Sequence, residues 1–168
     1  GEVMQLSLIN NLDINQEQYF KVIEDKTAKL FSSSAMIGGI INNSSEKTIN
    51  DLESFGKYIG IAFQLLDDAL DYKFSEKKIG KNIGDDFKEG KVTLPILLAI
   101  KKADKKEKLF WKRVIEDLNQ EPNDFKRAQE ILIKNEALEN TRKMAKNYTE
   151  KAKDILKCLP QNIYNNAL

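Results

Sequence analysis

A chain of 168 residues with 41% apolar and 32% charged side chains has the length and composition of one globular domain, and its polarity is too low for a disordered one. Lys and Arg number 27 against 26 Asp and Glu, so the net charge of +1 offers no global attraction to nucleic acid or an acidic membrane. Histidine is absent and Cys158 is the only cysteine, which excludes Ser-His and Cys-His nucleophiles, the usual zinc sets and an intrachain disulfide, and makes a reducing, cytoplasmic setting the expectation.

With few prolines and glycines and apolar residues at helical spacing almost throughout, the chain reads as all-α. Its first residues, GEVMQLSLIN, lack the basic start and long apolar core of a secretory signal. A first helix is predicted over residues 17–41, where Tyr19, Phe20, Ile23, Leu30, Phe31, Ile37 and Ile41 follow a 3.6-residue period. Asn15 and Gln18 have the spacing of a capping box. A second helix should start after Ser45 and reach about Tyr72, with Ile49, Leu52, Phe55, Ile59, Phe63, Leu66 and Leu70 as its apolar stripe. Residues 73–93 read as one long non-helical segment, in which Gly80, Gly84 and Gly90 alternate with Lys73, Lys77, Lys78, Lys81, Lys88 and Lys91. A loop of that length inside a domain is usually functional or disordered, and its repelling lysines make disorder without a ligand the expectation. Thr93-Leu94-Pro95 marks another helix start, with Thr as cap and Pro tolerated in the first turn. Further helices are expected over about 105–119, 123–135 and 137–158, the last closed by Pro160. The apolar run from Leu94 to Ile100 is too short to span a bilayer.

The chemistry concentrates in GIAFQLLDDALDY, residues 60–72. Gln64, Asp67, Asp68 and Asp71 fall at i, i+3, i+4 and i+7, on one helical face. Gly56 and Gly60 continue that face and permit close approach of another group. Every other direction around residues 59–70 is apolar, which predicts a buried helix whose acidic stripe faces an internal cleft. Crowded carboxylates in such a place need raised pKa values or cations. Their spacing suits a hard divalent ion such as Mg2+, which takes one or two carboxylates and completes its shell with water and phosphate. With the lysine-rich segment opposite, the result is a diphosphate pocket. The structural alternative is a stripe neutralised by lysines of a neighbouring helix.

These residues resemble a known family. GIAFQLLDDALDY is similar to the second aspartate-rich motif of trans-isoprenyl (polyprenyl) diphosphate synthases, and GKNIGDDFKEGKVTLP (residues 80–95) to the segment that follows it. GEVMQL (1–6) and KTAKLF (26–31) resemble two upstream signatures in the same order, and the ordered set resembles octaprenyl-type long-chain synthases. The resemblance implies an all-α fold, one partial domain over residues 1–168, in which helices surround a central cleft. It implies a prenyltransferase that elongates an allylic diphosphate with isopentenyl diphosphate, using Mg2+. In that reading Asp67, Asp68 and Asp71 supply metal ligands and Asp86 supports them. Lys26 and Thr27 hold diphosphate oxygens, Gln64 lies beside them, and Lys81 and Lys91 complete the positive side. Lys91 serves equally well as a neutraliser of Asp85 or Glu89, and Phe63 is read as core.

The departures carry expectations too. No DDxxD precedes Asp67, and Arg113, Arg127 and Arg142 all lie in the later helices, so the chain resembles the C-terminal half of a synthase, cut at both ends. Alone it is expected to be inactive, to expose apolar helix faces and to dimerise. Peripheral membrane contact would come through the product. Three other functions stay open against this one: a non-catalytic accessory subunit, a class I terpene cyclase, and a Ca2+-binding helical protein. DDALD does not follow the cyclase pattern, and no stretch fits an EF-hand loop.

Overall fold

The computed structural model describes residues 9–73 and 83–159, and every regular element among them is helical. Helix α1 (Gln16–Ile23) begins with the predicted capping box. Asn15 accepts from the Gln18 N–H at 2.9 Å, and the Gln18 side chain accepts from the Asn15 N–H at 2.8 Å.

The helix expected to run unbroken over residues 17–41 is interrupted. Glu24–Ala28 forms a π turn, in which the Lys29 N–H reaches back five residues to the Glu24 carbonyl, and α2 (Lys29–Ile41) follows. The surplus residue resets the helical register. Helix α1 buries Tyr19, Val22 and Ile23, whereas α2 buries Ser32 and Gly39. Leu30, Ile37 and Ile41, which an unbroken period assigns to the core, are consequently 72%, 49% and 76% exposed.

Helix α3 (Glu46–Leu70) is capped by Ser45, whose side chain accepts from the Thr48 N–H at 3.2 Å. It is not apolar and buried all round, as its composition suggested. Phe63 and Leu66 are 55% and 43% exposed, and Phe63 meets the Phe31 ring at 5.6 Å instead of entering the core. The close approach expected at Gly56 and Gly60 comes from the chain's own backbone. A Cβ on Gly56 would lie 2.4 Å from the Phe31 carbonyl oxygen, and one on Gly60 would lie 2.5 Å from Ala28 Cα.

The segment predicted as wholly non-helical contains a short helix, α4 (Asp85–Lys88), entered through Gly84 at φ +83°. Lys77, Lys78, Gly80 and Lys81 lie outside the described residues. Helix α5 (Leu94–Lys102) has Pro95 in its first turn; Thr93 supplies the extended backbone of the cap but no side-chain capping bond. The chain continues through α6 (Lys105–Trp111), a second π turn (Lys112–Glu116), α7 (Asp124–Lys134) and α8 (Ala137–Leu156). Helix α3 packs most extensively on α8 and α2. Trp111, Ile115, Leu132 and Ile96 fill one core; Tyr19, Ile23, Ile61, Leu65 and Leu94 fill a second beside the acidic stripe. No described helix is long and apolar enough to cross a membrane.

Arg113 and Asp124 clasp the loop between the second π turn and α7. Two bonds of 2.7 and 2.8 Å join them, Arg113 also donates to the Asn119 carbonyl, and Asp124 accepts from the Glu121 N–H. The guanidinium bond is the main force holding the Asp124 carboxyl below its ordinary range. Arg113→Met leaves a carboxylate only 6% exposed without its cation. A loss of about 2 kcal/mol is expected in urea denaturation, below the range for fully buried pairs because the arginine is partly solvated. An unchanged midpoint would show that the clasp contributes nothing.

Candidate functional site

The C-terminal half of α3 presents its acidic face to α1 and to the π turn. Asp67 is half-buried there, while Asp68 and Asp71 are each 3% exposed. Both oxygens of Asp68 are engaged: Oδ2 accepts from the Tyr19 hydroxyl at 2.5 Å and Oδ1 from Gln64 Nε2 at 2.9 Å. The other end of the Gln64 amide accepts from Thr27 Oγ1 at 2.8 Å. Thr27, Gln64, Asp68 and Tyr19 therefore form one chain of hydrogen bonds joining three segments. Close packing of Ala28 on Gly60 brings Thr27 within reach, so two residues without polar side chains set the geometry of a polar network.

Burial drives the Asp68 carboxyl up to about 7; Asp86 and Asp67 add to the rise, and the bonds from Tyr19 and Gln64 oppose it. Tyr19 is shifted well above its ordinary value, by burial first and by Asp68 next, so it stays a donor at neutral pH. Behind this pair, Asp71 Oδ2 accepts from the Asp86 N–H at 3.1 Å, and the Asp71 carbonyl accepts from the Gly84 N–H. The Asp86 carboxylate meets Lys91 Nζ at 3.2 Å, and Lys91 also meets Glu89 at 2.7 Å. Of the two acids that Lys91 was expected to neutralise, Glu89 is the one it touches; Asp85 pairs with Lys88.

Lys26, Gln64, Asp68 and Lys91 line a single cleft with Tyr19 and Thr93, and Ile14, Val22, Ile23 and Val92 form its apolar wall. Thr27 joins through Gln64. Lys81, the remaining candidate, lies outside the described residues. Among the described residues, no three acidic or sulfur side chains are grouped to hold a metal ion by themselves. Asp68, Asp71 and Asp86, three of the four expected ligands, are engaged by other groups of the chain. Asp68 is held by Tyr19 and Gln64, Asp71 by a backbone amide, and Asp86 by Lys91. The burial of Asp68, with Asp86 and Asp67 near it, nonetheless fits a cation that takes few protein carboxylates and finds its remaining ligands in water and phosphate.

Two contributors were not singled out from sequence. Tyr19 was read only as one member of an apolar stripe. The available signal was its hydroxyl, since a tyrosine buried on such a face needs a hydrogen-bond partner. Glu89 was seen only as a counter-charge.

The geometry places Asp68 and two lysines of separate segments around one cleft. A family model for polyprenyl synthetase matches residues 1–132. The octaprenyl diphosphate synthase of Escherichia coli (strain K12) is 38% identical over the whole chain, which covers 52% of that protein. The geranylgeranyl diphosphate synthase of Saccharolobus solfataricus is 36% identical over 95% of the chain and 48% of its own length. Among solved structures, a polyprenyl synthase from Caulobacter crescentus CB15, complexed with calcium and isoprenyl diphosphate, superposes with a TM-score of 0.94 at 41% identity. That match covers 99% of this chain and 51% of the other. A decaprenyl diphosphate synthase from Rhodobacter capsulatus superposes with a TM-score of 0.92 at 42% identity, over 99% and 51% of the two chains. The chain spans about half the length of the curated relatives it matches. The family model spans residues 1–132 and the solved structures share the helical architecture: the chain belongs to the polyprenyl synthetase family.

Proposed function

We propose that the chain supplies the diphosphate- and metal-binding wall of a long-chain polyprenyl diphosphate synthase, which elongates an allylic diphosphate with isopentenyl diphosphate. The observation that carries this reading is the convergence of Lys26, Gln64, Asp68 and Lys91 on one cleft with an apolar wall. The ammonium groups of Lys26 and Lys91 hold diphosphate oxygens and offset the charge that grows on the leaving group. The chain from Thr27 to Tyr19 keeps Gln64 fixed against that group. Ile14, Val22, Ile23 and Val92 keep water from the reacting carbon. When bound, Mg2+ supplies further positive charge to the same leaving group. Asp67, less buried than Asp68 and Asp71, would hold it, with Asp68, Asp71 and Asp86 maintaining the negative field behind. A homodimer is the assembly proposed, on the exposed apolar residues Leu30, Ile37 and Ile41 of α2 and Phe63 and Leu66 of α3.

Calorimetric titration of farnesyl diphosphate, with and without Mg2+, tests the reading. Binding is expected to require Mg2+ and to weaken about tenfold or more in Asp67→Asn and in Lys26→Met, the size of a lost charge-assisted contact. Binding that ignores both substitutions and the metal would remove the cleft as the diphosphate site.

A further inference from the structure

Lys91 does not wait in the cleft with an open ammonium. Its Nζ lies 2.7 Å from Glu89 Oε2 and 3.2 Å from Asp86 Oδ1. One positive charge thus faces two negative ones, and the Lys91 ammonium is already neutralised by carboxylates of its own segment. The two carboxylates are held very differently. Asp86 is 6% exposed, its N–H is bonded to Asp71, and its carbonyl accepts from the Lys91 N–H at 2.9 Å. The Glu89 side chain is 57% exposed, and Lys91 is the only partner its carboxylate has among the described ion pairs.

The juxtaposition of Glu89 and Lys91 is built into the backbone. Gly90 between them has φ +65°. Its N–H donates to the Phe87 carbonyl, and its own carbonyl accepts from the Asn10 N–H. A Cβ at Gly90 would lie 2.8 Å from Leu118 Cδ2 and 2.9 Å from the Ile115 carbonyl oxygen, so only glycine fits this turn. The turn sets Glu89 and Lys91 side by side whatever the cleft contains.

We infer that Glu89 is a stand-in anion, occupying the Lys91 ammonium until a diphosphate oxygen displaces it and reclaiming it when the diphosphate leaves. The inference rests on the proposed role of Lys91 as a diphosphate ligand. An exposed ion pair is weak enough to give way to a multiply charged ligand, whereas the buried Asp86 contact is not. Asp86 therefore keeps Lys91 aimed while Glu89 swings out. Glu89 is a positioning residue in this scheme: it lowers affinity for diphosphate, and its return to Lys91 speeds release.

The test is calorimetry of inorganic pyrophosphate with Mg2+, with release followed by stopped-flow displacement, on the wild-type chain and on Glu89→Gln, Asp85→Asn and Lys91→Met. Glu89→Gln is expected to bind pyrophosphate about three- to fivefold tighter, on the scale of one exposed ion pair, with the gain in a slower release rate. Asp85→Asn removes an equal charge from a neighbouring residue that does not touch Lys91, and should change affinity less. Lys91→Met should weaken binding. Glu89→Gln binding no tighter than wild type, or Asp85→Asn tightening as much, would overturn the inference and leave the role of Lys91 standing. Lys91→Met binding as wild type, or no pyrophosphate binding by any of the four, would overturn both.

Discussion

Gly56→Ala is expected to lower stability by about 3 kcal/mol, and Gly60→Ala by a similar amount, because in each case the added methyl meets backbone. At Gly56 it would stand 2.4 Å from the Phe31 carbonyl oxygen and 2.8 Å from Ser32 Cα; at Gly60, 2.5 Å from Ala28 Cα. Neither obstacle can rotate aside, so α2 and the π turn must move off α3. The loss appears despite alanine's intrinsic helical advantage of about 1 kcal/mol over glycine. Gly38 provides the control, since nothing lies within 4 Å of where its Cβ would be. Gly38→Ala should be neutral or stabilising by up to about 1 kcal/mol. Gly60→Ala carries a second consequence. Moving Ala28 pulls Thr27 from Gln64, so Mg2+-dependent binding of farnesyl diphosphate should fall more than stability alone explains. Thermal melts of the three variants decide the matter: equal midpoints for Gly60→Ala and Gly38→Ala would mean that the helices are not in close contact at Gly60.

Asp68 should make the metal-free chain lose stability as the pH rises through neutrality. Its folded pKa is about 7 against an ordinary value of 3.8, with burial the main cause. Between those values the folded chain holds a proton that the unfolded chain has released, so the stabilising difference is full below about 4 and gone above about 7. Three pKa units correspond to a loss on the order of 4 kcal/mol across that window. The carboxylates shifted the other way, Asp25, Asp104 and Asp124, titrate below 3.8 and contribute outside it. Urea denaturation at pH 5 and pH 8 in a chelator should therefore show the slope, and Asp68→Asn should flatten it. The asparagine oxygen still accepts from Tyr19, and Gln64 can turn its amide to accept from the new NH2 group. A slope that survives in Asp68→Asn would place its origin elsewhere.

Local rules were legible in the sequence wherever one segment decides its own conformation. Asn15 with Gln18 announced one helix start by spacing alone and Ser45 marked another, and both residues form caps. The acidic face of α3 was equally plain, because helical geometry puts Gln64, Asp67, Asp68 and Asp71 together whatever surrounds them. What could not be read is what lies opposite. Tyr19 meets Asp68 across 49 positions of sequence. Phe63 and Leu66 look like core by composition, and exposing them is a matter of which helices pack where. The π turn hid for a related reason: the periods of α1 and α2 each look helical, and only the packing of Ala28 on Gly60 distinguishes one unbroken register from two.

That turn has a consequence for how the two helices divide their work. An α-helix is a rigid rod, and the angle at which any residue points is fixed by every residue before it. One surplus residue at Glu24–Ala28 frees the rod from that constraint by roughly the 100° that a single residue subtends. Helix α1 is then at liberty to lodge Tyr19 against Asp68, while α2 independently lays Ser32 and Gly39 along α3. Deleting one residue within 24–28 would weld the two phases together, and only one of these seams could then keep its partners.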